Sequence, residues 1–93
     1  MTPFNFDAFK SDAEAEGYDE VVEKTWEPGA EVPAHSHPYA VMALVVRGEM
    51  WLTCQDETQH FKPGDIFTLE HGEPHAERYG PQGATYWVAR LNP

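Results

Sequence analysis

The sequence predicts an all-β sandwich or barrel carrying a short N-terminal helix. Three observations point there. After Gly17 the chain becomes a series of short apolar or alternating runs at regular spacing. Seven glycines and eight prolines punctuate those runs, which is the texture of strands joined by tight turns. The run Ala40-Val41-Met42-Ala43-Leu44-Val45-Val46 is apolar at both parities, as expected of a strand covered on both faces. At 93 residues and 10.5 kDa the chain makes one domain, because halves of it would each be too small for a core of their own.

Residues 1–20 read as an acidic extension and 21–93 as the body. Asn5 or Asp7 can cap a helix running to about Glu16, with Gly17 as its stop. Phe6, Phe9 and Ala13 recur at helical spacing and give it an apolar edge. Strands are predicted at Val21–Trp26, Glu31–His37, Tyr39–Arg47, Glu49–Cys54, Thr58–Phe61, Ile66–Leu69, Pro74–Tyr79 and Ala84–Leu91. The turns between them are Glu27-Pro28-Gly29, Gly48, Gln55-Asp56-Glu57, Lys62-Pro63-Gly64-Asp65, His71-Gly72 and Gly80-Pro81-Gln82-Gly83.

Charge narrows the function. Six Lys and Arg face sixteen Asp and Glu, for a net charge of −10. Residues 1–31 hold nine carboxylates against two lysines, a net of −7, and residues 32–93 hold seven against four bases, a net of −3. Such a field repels phosphate backbones and anionic lipid, so neither nucleic acid nor a membrane surface is an expected partner. No apolar run reaches the ~20 residues of a membrane span, and Met1-Thr2-Pro3-Phe4-Asn5 lacks the basic flank of an export signal. A single cysteine, Cys54, excludes an intrachain disulfide and a cysteine-based zinc knuckle. A cytoplasmic setting is the expectation.

The histidines carry the chemistry. His35 and His37 stand two apart in an extended segment, which sends both rings to one face. His75 opens a late strand that can bring a third ring beside them. The surrounding pattern is Gly29-x5-His35-x-His37-x10-Gly48, then Gly64-x7-Gly72-x2-His75. These resemble the two signature motifs of the cupin family, small jelly-roll barrels, across residues 21–91, and the chain is similar to very small single-domain bacterial cupins. The resemblance implies that His35, His37 and His75 ligate one divalent metal ion: Fe, Mn, Zn, Ni, Co or Cu.

The chain also departs from the family pattern. The family's glutamate ligand falls here on Val41, a proline of the second motif on Glu70, and its closing asparagine on Tyr79. Three imidazoles still suffice for a metal with open positions, and some cupin dioxygenases are similar in using three histidines without a carboxylate. Three neutral rings leave the ion's charge uncompensated, which favours an anionic substrate.

Glu77, two residues beyond His75, should point inward with it. It is the candidate catalytic residue, as ligand, hydrogen-bond acceptor or general base; the alternative is an outward glutamate paired with Arg78 or Arg90. Tyr39, Tyr79, Tyr86, Trp51 and Trp87 are expected as lining or core, His60 and His71 as solvated, Cys54 as a buried apolar group and Arg47 as surface. The function expected is a mononuclear, dioxygenase-like metal enzyme acting on a small anionic metabolite; an isomerase or lyase would use the same site. The other expectation is a non-catalytic cupin that binds a small ligand or senses a metal, with a structural or partner-binding module behind both. A homodimer is expected because the strand at 40–46 needs cover on its outer face.

Overall fold

The computed structural model describes residues 4–93. The helix α1 spans Phe6–Ala15, with Asn5 as N-cap accepting from the Ala8 N–H. It ends at Glu16, where the N–H groups of Gly17 and Tyr18 return to the carbonyls of Glu14 and Ala13 and Gly17 takes a positive φ of 97°. Phe6 and Phe9 pack on Trp87 at ring separations of 5.3 and 6.0 Å, and Ala13 is fully buried. The helix is thus held by its aromatic edge.

Six strands follow: β1 Glu20–Trp26, β2 Glu31–His35, β3 Ala40–Cys54, β4 Glu57–Phe61, β5 Ile66–Leu69 and β6 His75–Leu91. All pairings are antiparallel. β3 and β6 are long and pair with each other along most of their length. One half of this ribbon carries β1 and β5 on its edges, the other β2 and β4. The fold is the all-β barrel with a short N-terminal helix that the sequence predicts.

Two predicted turns prove to be bends within continuous strands. Gly48 lies inside β3 and residues 80–83 inside β6, and the register skips there from Gly48↔Ala84 to Met50↔Tyr79. Such irregularities switch which parity faces inward. Before the bend β3 buries Val41, Ala43 and Val45, and after it Met50 and Leu52. β6 buries His75, Glu77 and Tyr79, then Ala84, Tyr86 and Val88. The outer residues Met42, Leu44 and Val46 are only half-buried, so one face of the doubly apolar run remains partly open. The predicted strand 31–37 stops at His35, after a register irregularity between Val32 and His35.

Gly48 combines a φ of 73° with close packing: a Cβ there would run into the Gly83 carbonyl and come within 2.9 Å of Ala84 Cα. Gly29 has a similar φ of 69° but open space around it. Gly29→Ala should therefore cost only backbone strain, about 1–2 kcal/mol, whereas Gly48→Ala must also displace β6. Urea denaturation should show Gly48→Ala destabilised by at least twice as much.

Candidate metal centre

β2 and β6 place the first two histidines directly opposite each other, His35 against His75 in register. His37 lies just beyond the end of β2, where its carbonyl accepts the Gly72 N–H at 2.7 Å. That bond ties the loop after β2 to the loop before β6, so both motifs meet at one point. Gly72 fits the tie through its φ of 71°.

The rings converge. Centroid separations are 4.7 Å for His35–His37, 4.3 Å for His35–His75 and 5.3 Å for His37–His75. One nitrogen from each falls within 4.8 Å of the others. The Nδ1 atoms of His35 and His75 lie 2.8 and 3.0 Å from the carbonyls of Pro33 and Glu73. A carbonyl can only accept, so both Nδ1 atoms carry the proton and both Nε2 lone pairs are left free. This donor set, neutral imidazoles oriented by carbonyls behind them, fits a divalent metal.

Glu77 is buried and points inward with His75, not outward to an arginine. Its Oε2 lies 3.7 Å from Nε2 of both His35 and His75. Its Oε1 accepts from the Tyr79 hydroxyl and, at 3.2 Å, from the Tyr86 hydroxyl. Trp26 Nε1–H donates in turn to the Tyr86 oxygen at 3.1 Å. Burial, followed by the charge of Glu77, pushes the Tyr86 phenol up to about 12. Burial first, then Tyr86 and Glu77, push Tyr79 higher still. Both phenols remain protonated donors, and the carboxylate keeps only Oε2 for the histidine side.

The residues around this centre line a half-open cavity of about 120 Å³. Val32, Val41, Phe67, Leu69 and Val88 form apolar wall, and Trp26, Tyr39, Tyr86, Lys24 and Arg90 complete it. Val41 thus stands as wall where the family pattern has a carboxylate. Tyr39 stacks on His37 at 4.8 Å with the planes 5° apart.

Other expected residues lie elsewhere. His60 is on β4, stacked on Trp51 and 2.9 Å from Glu49; His71 is exposed. Trp51 and Trp87 serve outer faces, under Arg78 and α1 respectively. Arg47 is exposed, as expected. Cys54 is half-buried rather than buried, and desolvation, then Glu73 and Glu77, raise its thiol above the ordinary range, which marks it as unactivated. Lys24, Trp26 and Arg90 escaped sequence reasoning as site residues. Their signal is parity: each shares the inward row of its strand with residues of the core or pocket.

Burial, reinforced by His35 and His75, lowers the His37 pKa below its ordinary 6.5, against an opposing pull from Glu77. In the unfolded chain this ring takes up a proton as pH falls through about 6.5, while the folded ring stays neutral to lower pH. The unfolded state then binds more protons, so stability present above that pH is lost on acidification. The melting temperature of the metal-free protein should fall between pH 7 and 5, and less steeply in His37→Gln.

Three comparisons place the chain among known proteins. Residues 19–93 match the family model of the AraC-like ligand binding domain. Over 39 residues the chain is 38% identical to an uncharacterized HTH-type transcriptional regulator of Haemophilus influenzae, covering 42% of this chain but 13% of that protein. An RmlC-like cupin from Shewanella frigidimarina superposes with a TM-score of 0.68 at 23% identity, over 75% of this chain and 62% of that one. An oxalate decarboxylase from B. subtilis superposes with a TM-score of 0.71 at 25% identity, over 77% of this chain and 20% of that one. The chain therefore belongs to the AraC-like ligand-binding domain family, a cupin-type domain.

Proposed function

We propose that this domain holds one divalent metal ion on His35, His37 and His75 and, with Glu77, acts on a small anionic metabolite in a dioxygenase-like reaction. The observation that carries this reading is the convergence of three imidazoles, two of which bring Nε2 to 3.7 Å from one oxygen of a buried carboxylate. Iron, manganese, zinc, nickel, cobalt and copper all accept such nitrogens. A metal bound there would supply a Lewis acid that polarises an oxygen donor of the substrate.

The chain's own groups do the rest. Tyr79 and Tyr86 fix Oε1 of Glu77, so Oε2 is the atom that takes a proton from the substrate. Val32, Val41, Phe67 and Leu69 give the site apolar walls. The cavity is below the ~300–1,000 Å³ of drug-sized sites, which suits a small substrate. Cytoplasmic residence, where Cys54 stays reduced, is part of this reading.

A second reading, a ligand-binding module without turnover, is favoured by the AraC-like family match. Elemental analysis should find about one metal per chain. Alanine at His35, His37 or His75 should lower metal affinity at least tenfold, while His60→Ala and His71→Ala leave it unchanged. Wild type that takes up no more metal than a His35/His37 double variant sinks the metal site. Glu77→Gln should keep metal and lose on the order of 10²–10⁴ in turnover of a small carboxylate that wild type consumes with oxygen uptake. Wild type that binds such carboxylates without consuming them makes the second reading the correct one.

The partner we propose is a second copy of this chain. Met42, Leu44 and Val46 on the outer side of β3 adjoin Ile66 on β5. Ile66 is the exposed large apolar side chain of the described residues, at 54%. A strip without charge in so acidic a chain suits a twofold contact. Light scattering at micromolar concentration should return twice the 10.5 kDa chain mass, and Ile66→Glu should return the monomer.

A further inference from the structure

Two of the chain's six basic residues line the cavity that holds the three histidines, although the net charge is −10. Strand parity puts them there. After its bend, the inward row of β6 runs Ala84, Tyr86, Val88 and then Arg90, and the inward row of β1 runs Val22, Lys24, Trp26. Lys24 lies across from Tyr86, and Glu20 across from Arg90. An arginine ending a core row is costly unless its donors are used.

The donors of Arg90 are only partly used. Its side chain is 20% exposed, and Nη1 lies 3.6 Å from Oε2 of the half-exposed Glu20. Nε is buried and has no hydrogen-bond partner. Its Cζ sits 5.0 Å over the ring of Tyr39, the same ring that stacks on His37. One phenol thus connects the guanidinium, which lines the cavity, to the histidine cluster, and one of its N–H donors is left without a partner. An inward guanidinium with a spare donor is the recognition element for a carboxylate.

We propose that Arg90, assisted by Lys24 at the rim, is the specificity-determining site for an acidic group of the ligand other than the one held at the histidines. The ligand is then a short molecule with oxygen donors at both ends and a carboxylate at the Arg90 end: a small dicarboxylate, or an oxo or hydroxy acid. This rests on the metal-centred reading above and adds the second anchoring point to it.

The test is calorimetric titration of the full chain loaded with cobalt(II), using malonate and succinate against acetate. At least one dianion should bind ten times tighter than acetate. Arg90→Gln should erase that preference, Arg90→Lys should retain part of it, and Lys24→Met should weaken the dianion about threefold. Cobalt content should be unchanged in all three variants. Lys24 is exposed, so its variant reports even where the loss of Arg90 perturbs folding.

Dianions no tighter than acetate, or a preference that stays undiminished in both Arg90→Gln and Lys24→Met, would overturn the proposal. Cobalt uptake without a dianion preference sinks the anion site and keeps the metal centre. Conversely, in a protein that takes up no cobalt, a malonate-dependent rise in melting temperature that disappears in Arg90→Gln keeps the anion site and sinks the metal centre.

Discussion

The pairing of β3 with β6 is the constraint on which the rest of the molecule depends. These two strands supply the middle of both halves of the barrel, and every other strand pairs with one of them. A single flat ribbon could not enclose a core, because its buried face would look in one direction only. The irregularities at Gly48 and at residues 80–83 resolve this by bending the ribbon and exchanging inward and outward parity at the same place. A one-residue slip in either half would turn that half's buried row to solvent. The functional residues follow from the same geometry: His75 and Glu77 come from the near half of β6, and Tyr86, Val88 and Arg90 from the far half.

The carboxylate of Glu77 is the demanding element within that frame. An ionised group in a mostly apolar cavity is destabilised by desolvation unless it is hydrogen-bonded or paired. Two phenols meet the need at Oε1, and each hydrogen bond to a charged acceptor is worth about 1.5–3 kcal/mol. The indole of Trp26, donating to Tyr86, orients the second phenol, and its ring stacks on Tyr79 at 5.0 Å. The aromatic group behind the histidines is therefore a polar support for one carboxylate as well as part of the core.

Much of this was legible in the sequence because it rests on local signals. The helix boundaries follow from Asn5 and Gly17, and the strand cores from alternation. The facing of His35, His75 and Glu77 follows from two-residue spacing and the likeness to cupin motifs. The continuity of β3 and β6 was hidden, since a glycine at positive φ looks the same in a bulge and in a turn. The contribution of His37 was anticipated for the wrong reason. The strand ends before it, and a backbone hydrogen bond from Gly72, which no periodicity encodes, fixes its carbonyl. Arg90 and Lys24 were missed because charged residues on strands are read as outward by default. Only the parity of their neighbours Val88 and Trp26 reveals their direction.

The position of the carboxylate bears on what the site is for. Where the family pattern places a glutamate, this chain has Val41, an apolar wall residue, and the carboxylate arrives instead on β6, held from behind by two protonated phenols. A site built only to bind an anion would gain nothing from Glu77, because a fixed negative charge beside the incoming group weakens binding by like-charge repulsion. Removing it would also release Tyr86, which lines the cavity, to donate to the ligand directly. A site that must shift a proton gains from the same arrangement: Oε1 is anchored and Oε2 faces the histidine nitrogens. The buried carboxylate thus suits proton transfer, and it suits equally a metal-binding site in which it would offset the charge of the ion.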